Sequence, residues 1–161
     1  MALSFQDLSQ VLTELGPTFP PQTLSATGAG NTINVSDVGT DRINAQLLVG
    51  NATALTSLDV KMQAAYDDGA GAATGWVDIS GATFTQITTD PGTTSVVPET
   101  IQFQLPKALT LSTAPYIYVR AYATLVGTDI LMCVNLLACR KYDQQNTSVY
   151  APGNDGDNVI N

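Results

Sequence analysis

The sequence predicts an all-β domain, a sandwich or barrel of about eight short strands preceded by a short helical arm. Residues 57–66 alternate strictly, with Leu58, Val60, Met62 and Ala64 on one side and Asp59, Lys61, Gln63 and Ala65 on the other, the period-two signature of a half-buried strand. From Thr32 onward, apolar or alternating runs are separated by turn-forming pieces such as "TDPGTT" and "VGTD". Residues 1–16 differ from everything after them, and they carry the arm. The 161 residues suit one domain with a sizeable core.

In chain order, Ser4 can cap a helix whose third position is Asp7, and Gly16 with Pro17 ends it. Phe5, Leu8, Leu12 and Leu15 recur at helical spacing and form a narrow apolar seam. A helix of about 12 residues is marginal alone, so the seam either covers an end of its own domain or docks on a neighbouring molecule. Residues 17–31, "PTFPPQTLSATGAGN", hold three prolines and a run of small residues, which predicts an extended linker. Stretched out, such a segment reaches about 50 Å. The expected organisation is an arm over 1–31, a β-sandwich over 32–142 and a polar tail over 143–161.

Candidate strands are 32–38, 44–49, 57–66, 76–79, 83–88, 99–105, 116–125 and 130–142. In the seventh, Ile117, Val119, Ala121, Ala123 and Leu125 make a core face and leave Tyr116, Tyr118, Arg120, Tyr122 and Thr124 opposite. Tyrosines with an arginine on one ladder suit a subunit interface, since they combine contact area with polar tips. Ordinary cross-strand pairing on a solvated face is the alternative. In the eighth, Ile130, Met132, Val134, Leu136 and Ala138 share one face, while Leu131, Cys133, Asn135, Leu137 and Cys139 share the other. That second face asks for cover from a loop or a partner subunit. Trp76 opens an apolar strand and is expected to be buried under the hairpin.

Composition narrows the chemistry. The net charge is −8 and the basic residues Arg42, Lys61, Lys107, Arg120, Arg140 and Lys141 are scattered, which argues against nucleic-acid binding. The chain has no histidine, which removes the commonest general base and imidazole metal ligands together. Cys133 and Cys139 would lie about 20 Å apart on one strand, so no disulfide is expected between them, as suits a reducing compartment. No apolar stretch has the length of a membrane span, and the N-terminus lacks a secretion signal, so a soluble, unexported product is expected. No catalytic, cofactor or metal residue is nominated.

Asp67 and Asp68, followed by Gly69, Gly71 and Gly75, lack the alternating oxygen donors of a calcium loop. They also lack the lysine and following helix of a phosphate loop, so a hairpin tip is expected. Asp155 and Asp157 lie in a polar tail with no companion ligand, which suits a solvated or partner-draped segment better than a cation site.

The segments "LDVKMQAAYDDG", "GWVDISGATFTQIT", "YIYVRAYATLVGT" and "CVNLLACRKY", between Leu58 and Lys141, resemble a recurrent pattern in virion structural proteins of tailed bacteriophages. The resemblance implies a jelly-roll-like β-sandwich acting as a capsid decoration (cement) protein: commonly a homotrimer, bound to the major capsid protein at the head surface, and assembled in the host cytoplasm. It carries no catalytic motif, and the N-terminal residues lie outside it. On this reading Phe5, Leu8, Leu12 and Leu15 would dock on the capsid or an adjacent trimer, and Tyr116, Tyr118, Arg120 and Tyr122 would join subunits. The competing implication is a head-fibre or tail-associated carbohydrate-binding module using Trp76 or the tyrosine ladder.

Overall fold

The computed structural model describes residues 12–36, 42–52, 54–88, 97–106 and 115–139. They form nine strands: β1 (Leu12–Leu24), β2 (Gly28–Ala29), β3 (Ile33–Asn34), β4 (Arg42–Ala52), β5 (Leu55–Asp67), β6 (Ala73–Thr83), β7 (Val97–Gln104), β8 (Tyr116–Gly127) and β9 (Ile130–Cys139). One sheet runs β1-β9-β4-β7. The other runs β2-β8-β5-β6, with β3 also paired to β8. Every pairing is antiparallel. The chain passes repeatedly between the two sheets and its first strand pairs with its last, which is the jelly-roll form of an antiparallel sandwich.

The alternation in the sequence reads directly onto this core. Leu58, Val60, Met62 and Ala64 of β5 are buried, as are Ile130, Met132, Val134, Leu136 and Ala138 of β9. Facing strands supply Ile43, Ala45, Leu47 and Val49 from β4 and Val119, Ala121 and Ala123 from β8. Within one sheet Ala123 and Ala121 of β8 pair with the longer Val60 and Met62 of β5, so small and large side chains lie side by side on the inner face.

The helical arm and linker are corrected where they fall within the described residues, from Leu12 onward. Residues 12–24 are a strand, so Leu12 and Leu15 lie in β1, and the described residues contain no α-helix. Leu15 packs against the protein's own core. The prolines that argued for a linker sit on a sheet edge, where a missing N–H breaks no ladder, and the pairing with β9 shifts register between Glu14 and Gly16 and twice more before Gln22. Gly16 has φ +110° and is the residue that can take the first of these shifts. The sandwich therefore already includes the residues from Leu12, ahead of Thr32. Phe5 and Leu8 lie outside the described residues, as does the segment 143–161.

Smaller differences follow from tertiary pairing. The strand expected at 76–79 extends over Ala73–Thr83 as β6, and the strand expected at 83–88 is replaced beyond Thr83 by irregular chain in which Phe84 and Ile87 hydrogen-bond to Val60 and Leu58 of β5. Within the segment 32–38, the described residues 32–36 contribute the two-residue β3. Gly127, with φ +118°, closes the turn into β9, and a Cβ there would collide with the carbonyl of Ala54.

Truncating a fully buried β9 side chain, Leu136→Ala, is expected to cost about 2–5 kcal/mol in urea unfolding. Val126→Ala, at a position 49% exposed, should change stability by no more than about 0.5 kcal/mol. Equal effects would mean that β9 does not line the core.

Candidate interaction surfaces

The two sheets turn very different faces outward. On β8 the inward Val119, Ala121 and Ala123 fix Tyr118, Arg120 and Tyr122 on the outer side. Register places Arg120 opposite Gln63 of β5, and Gln63 opposite Asp78 of β6. The side chains in that row are joined. Arg120 Nε donates to Gln63 Oε1 at 3.0 Å, and Gln63 Nε2 donates to Asp78 Oδ1 at 2.8 Å. Lys61 Nζ takes the other oxygen, Asp78 Oδ2, at 2.6 Å. The Lys61 and Gln63 hydrogen bonds hold the Asp78 carboxyl below the usual carboxylate range.

Aromatic rings complete the lattice. The Arg120 guanidinium carbon lies 3.8 Å from the centroid of Trp76, and Lys61 Nζ lies 5.7 Å over Tyr122. Trp76 is half-buried on the outer face, which corrects its expected burial under the hairpin. An indole flanked by an arginine suits a wet sheet face better than a core. Partial burial lowers the Arg120 pKa from its ordinary value.

The nominated tyrosines are brought onto one strand but not into one role. Tyr118 is buried, and its hydroxyl lies 2.9 Å from Asp67 Oδ2 and 3.0 Å from the Gly71 carbonyl oxygen. Tyr116 packs edge-on against Tyr66, with ring centroids 6.1 Å apart, and leans on the core. These two hold their own fold together. Arg120 and Tyr122 remain half-buried on the outer surface.

The acidic loop is a hairpin tip. Asp67 Oδ1 accepts the Gly69 and Gly71 N–H groups at 2.6 and 3.1 Å, and Asp68 Oδ1 accepts those of Ala70 and Ala72 at 2.8 and 3.0 Å. Gly69 and Gly71, at φ +87° and +88°, supply the turn. Gly75 leaves the space that the Tyr66 ring occupies. Hydrogen bonds from Tyr118, then from the Gly69 and Gly71 amides, hold the Asp67 carboxyl below its ordinary range, and in return Asp67 pushes the Tyr118 phenol up. Among the described residues no group of three or more cysteine or acidic side chains could hold a metal ion.

The outer face of the β1-β9-β4-β7 sheet is built otherwise. Register aligns Leu48 with Cys133, Gln46 with Asn135 and Asn44 with Leu137. The row continues to Thr100 and Gln102 on β7 and to Pro17 on β1. Among the described residues its outward charges are Glu14 on the edge strand β1, opposite Leu137, and Arg42 at the start of β4. Leu131 is 46% exposed and lies over Gly50, whose missing side chain leaves it room. Cys133 is a free thiol, buried by its neighbours, which raises its pKa, and its Sγ donates to Asn135 Oδ1 at 3.6 Å. The apolar character of Leu131, Cys133 and Leu137 was legible in the strand's second face. The flanking Asn44, Gln46, Leu48 and Gln102 were missed, although the same alternation, read for its outward positions, would have found them.

No protein-family model matches the sequence, and no curated protein matches it. Among solved structures, a chain of infectious bursal disease virus Gx strain is similar at TM-score 0.47 and 9% identity over 82% of this chain, which spans about a third (33%) of that chain. A chain of the cowpea mosaic virus top component, a naturally occurring empty particle, is similar at TM-score 0.40 and 13% identity, covering 88% of this chain and 89% of that one. These are likenesses of fold alone.

The hairpin tip generates a pH prediction. Because the folded Asp67 pKa is depressed, its contribution to stability is present above the unfolded carboxylate value, about 4, and is lost as pH falls through the folded value. Thermal unfolding of Asp67→Asn should therefore lie below wild type near neutral pH, with the gap closing under more acid conditions. A gap independent of pH would show that the ionised carboxylate contributes nothing.

Proposed function

We propose that this chain is a structural component of a phage particle, a decoration (cement) protein that strengthens the head shell by bridging capsid subunits as an oligomer, by preference a trimer. The observation that carries the reading is the outer face of the β1-β9-β4-β7 sheet, where Leu48, Leu131, Cys133 and Leu137 stand among amide and hydroxyl side chains, with charge at Glu14 on the edge strand and Arg42 at the start of β4. A face without central charges can be covered at small desolvation cost, and depletion of charge is the compositional mark of an interface core. The jelly-roll topology and the resemblance of residues 58–141 to phage virion proteins support the same reading. A role through shape and contact also suits a chain without histidine.

In this reading that face meets the major capsid protein, and the Arg120 and Tyr122 side of the other sheet joins copies of the chain. Phe5 and Leu8, ahead of β1, are further candidates for docking. Individually weak contacts repeated across an oligomer give tight overall binding. A carbohydrate-binding module built on Trp76 is disfavoured, because the Arg120 guanidinium occupies one face of that ring.

Undecorated heads of the phage that encodes this chain provide the test, by cosedimentation alongside light scattering of the free protein. The expected solution mass is three times the 16.9 kDa chain. Leu131→Glu should lower shell binding at least tenfold while leaving thermal unfolding close to wild type. Undiminished binding of this variant would contradict the assignment of the face.

A further inference from the structure

The lattice on the outer face of β8, β5 and β6 leaves one cation uncompensated. Gln63 is oriented by its own hydrogen bond, since its Nε2 donates to Asp78 and so turns its Oε1 to Arg120 Nε. Both Asp78 oxygens are engaged, one by Gln63 and the other by Lys61. Arg120 consequently makes no ion pair with any described residue, and its terminal Nη groups have no acceptor in the row. The guanidinium is nevertheless held in place, stacked on Trp76 and tied at Nε, and partly stripped of water. A planar fork fixed at one edge with its other donors free is the arrangement that receives a carboxylate through two parallel hydrogen bonds.

We propose that Arg120, seated on Trp76 and tied by Gln63, is a carboxylate-binding site that receives an aspartate from the C-terminal segment of a second copy of this chain. Charge complementarity selects that segment: residues 143–161 contain Asp143, Asp155 and Asp157 and no lysine or arginine. Its 19 residues reach about 60 Å when extended, enough to cross onto a neighbour. The segment follows β9, which belongs to the sheet opposite Arg120. The carboxylate gains a partly desolvated, pre-positioned partner, and a chain of net charge −8 gains a specific rather than diffuse attraction to its own copies. This rests on the oligomer proposed above.

The test is sedimentation equilibrium of the full-length protein as wild type, Arg120→Gln, Asp155→Asn/Asp157→Asn, and all three changes together. The expected result is an oligomer whose dissociation constant rises at least tenfold in Arg120→Gln and in the tail variant, with the combined variant no weaker than either, because both ends of one contact have been removed. The tail changes leave the described residues intact, so they report even if Arg120→Gln perturbs folding. A wild-type oligomer unaffected by these changes overturns the proposal and leaves the oligomer reading standing; a monomeric wild type overturns both. If glucuronate, titrated into the same proteins, binds wild type but not Arg120→Gln while oligomerisation is unchanged, the site belongs to an acidic sugar and the proposal is wrong.

Discussion

The constraint on which the rest depends is the pairing of β9 with two strands at once, β1 on one edge and β4 on the other. It closes the chain by laying its first long strand against its last. It also buries five alternate residues of β9, from Ile130 to Ala138, against the second sheet. Because side chains alternate with period two, the same register decides which residues of β4 and β7 share the outer face with Leu131, Cys133 and Leu137. A slip of one residue in β9 would turn Leu131, Cys133, Asn135 and Leu137 toward the second sheet and place Asn135 in the core, where an unpaired amide is costly. The composition of the outer face is thus a consequence of core formation and not a separate device.

The asymmetry between the two faces underlies the two modes of contact proposed for the molecule. On β8, β5 and β6 the polar groups satisfy one another across three strands, so that surface is wet, ordered and nearly complete in itself. Its ion pair, Lys61 with Asp78, is exposed and contributes little to stability, but with Gln63 it fixes the position of Arg120. On the outer side of β9, β4 and β7, apart from Arg42 at the start of β4, the polar groups are neutral amides and hydroxyls among aliphatic side chains, which exchange water for protein partners at modest cost. One face offers a specific electrostatic contact and the other a broad neutral one.

What the sequence revealed followed local periodicity. The inward residues of β5, β8 and β9 could be named because alternation is unbroken there and each strand is central in its sheet. β1 could not, because Pro17, Pro20, Pro21 and Gly16 signal a break when read locally, and only the sheet-edge position and register shifts make them compatible with a strand. Arg120 was visible as an outward residue, but its partners were not. Gln63 is 57 positions away, and the link onward to Asp78 depends on a second pairing that local pattern does not specify. The tip at Asp67 was legible as a turn, since aspartates before glycines satisfy turn amides in any such hairpin. Its bond to Tyr118 required the fold.

The central claim is that this protein works by having the neutral face around β9 covered by another chain. An image reconstruction of the particle that carries it tests this most directly. The account predicts Leu131 and Leu137 in van der Waals contact with a neighbouring polypeptide on the shell. A chain attached to the particle through other surfaces, with the face around β9 open to solvent on every copy, would contradict it.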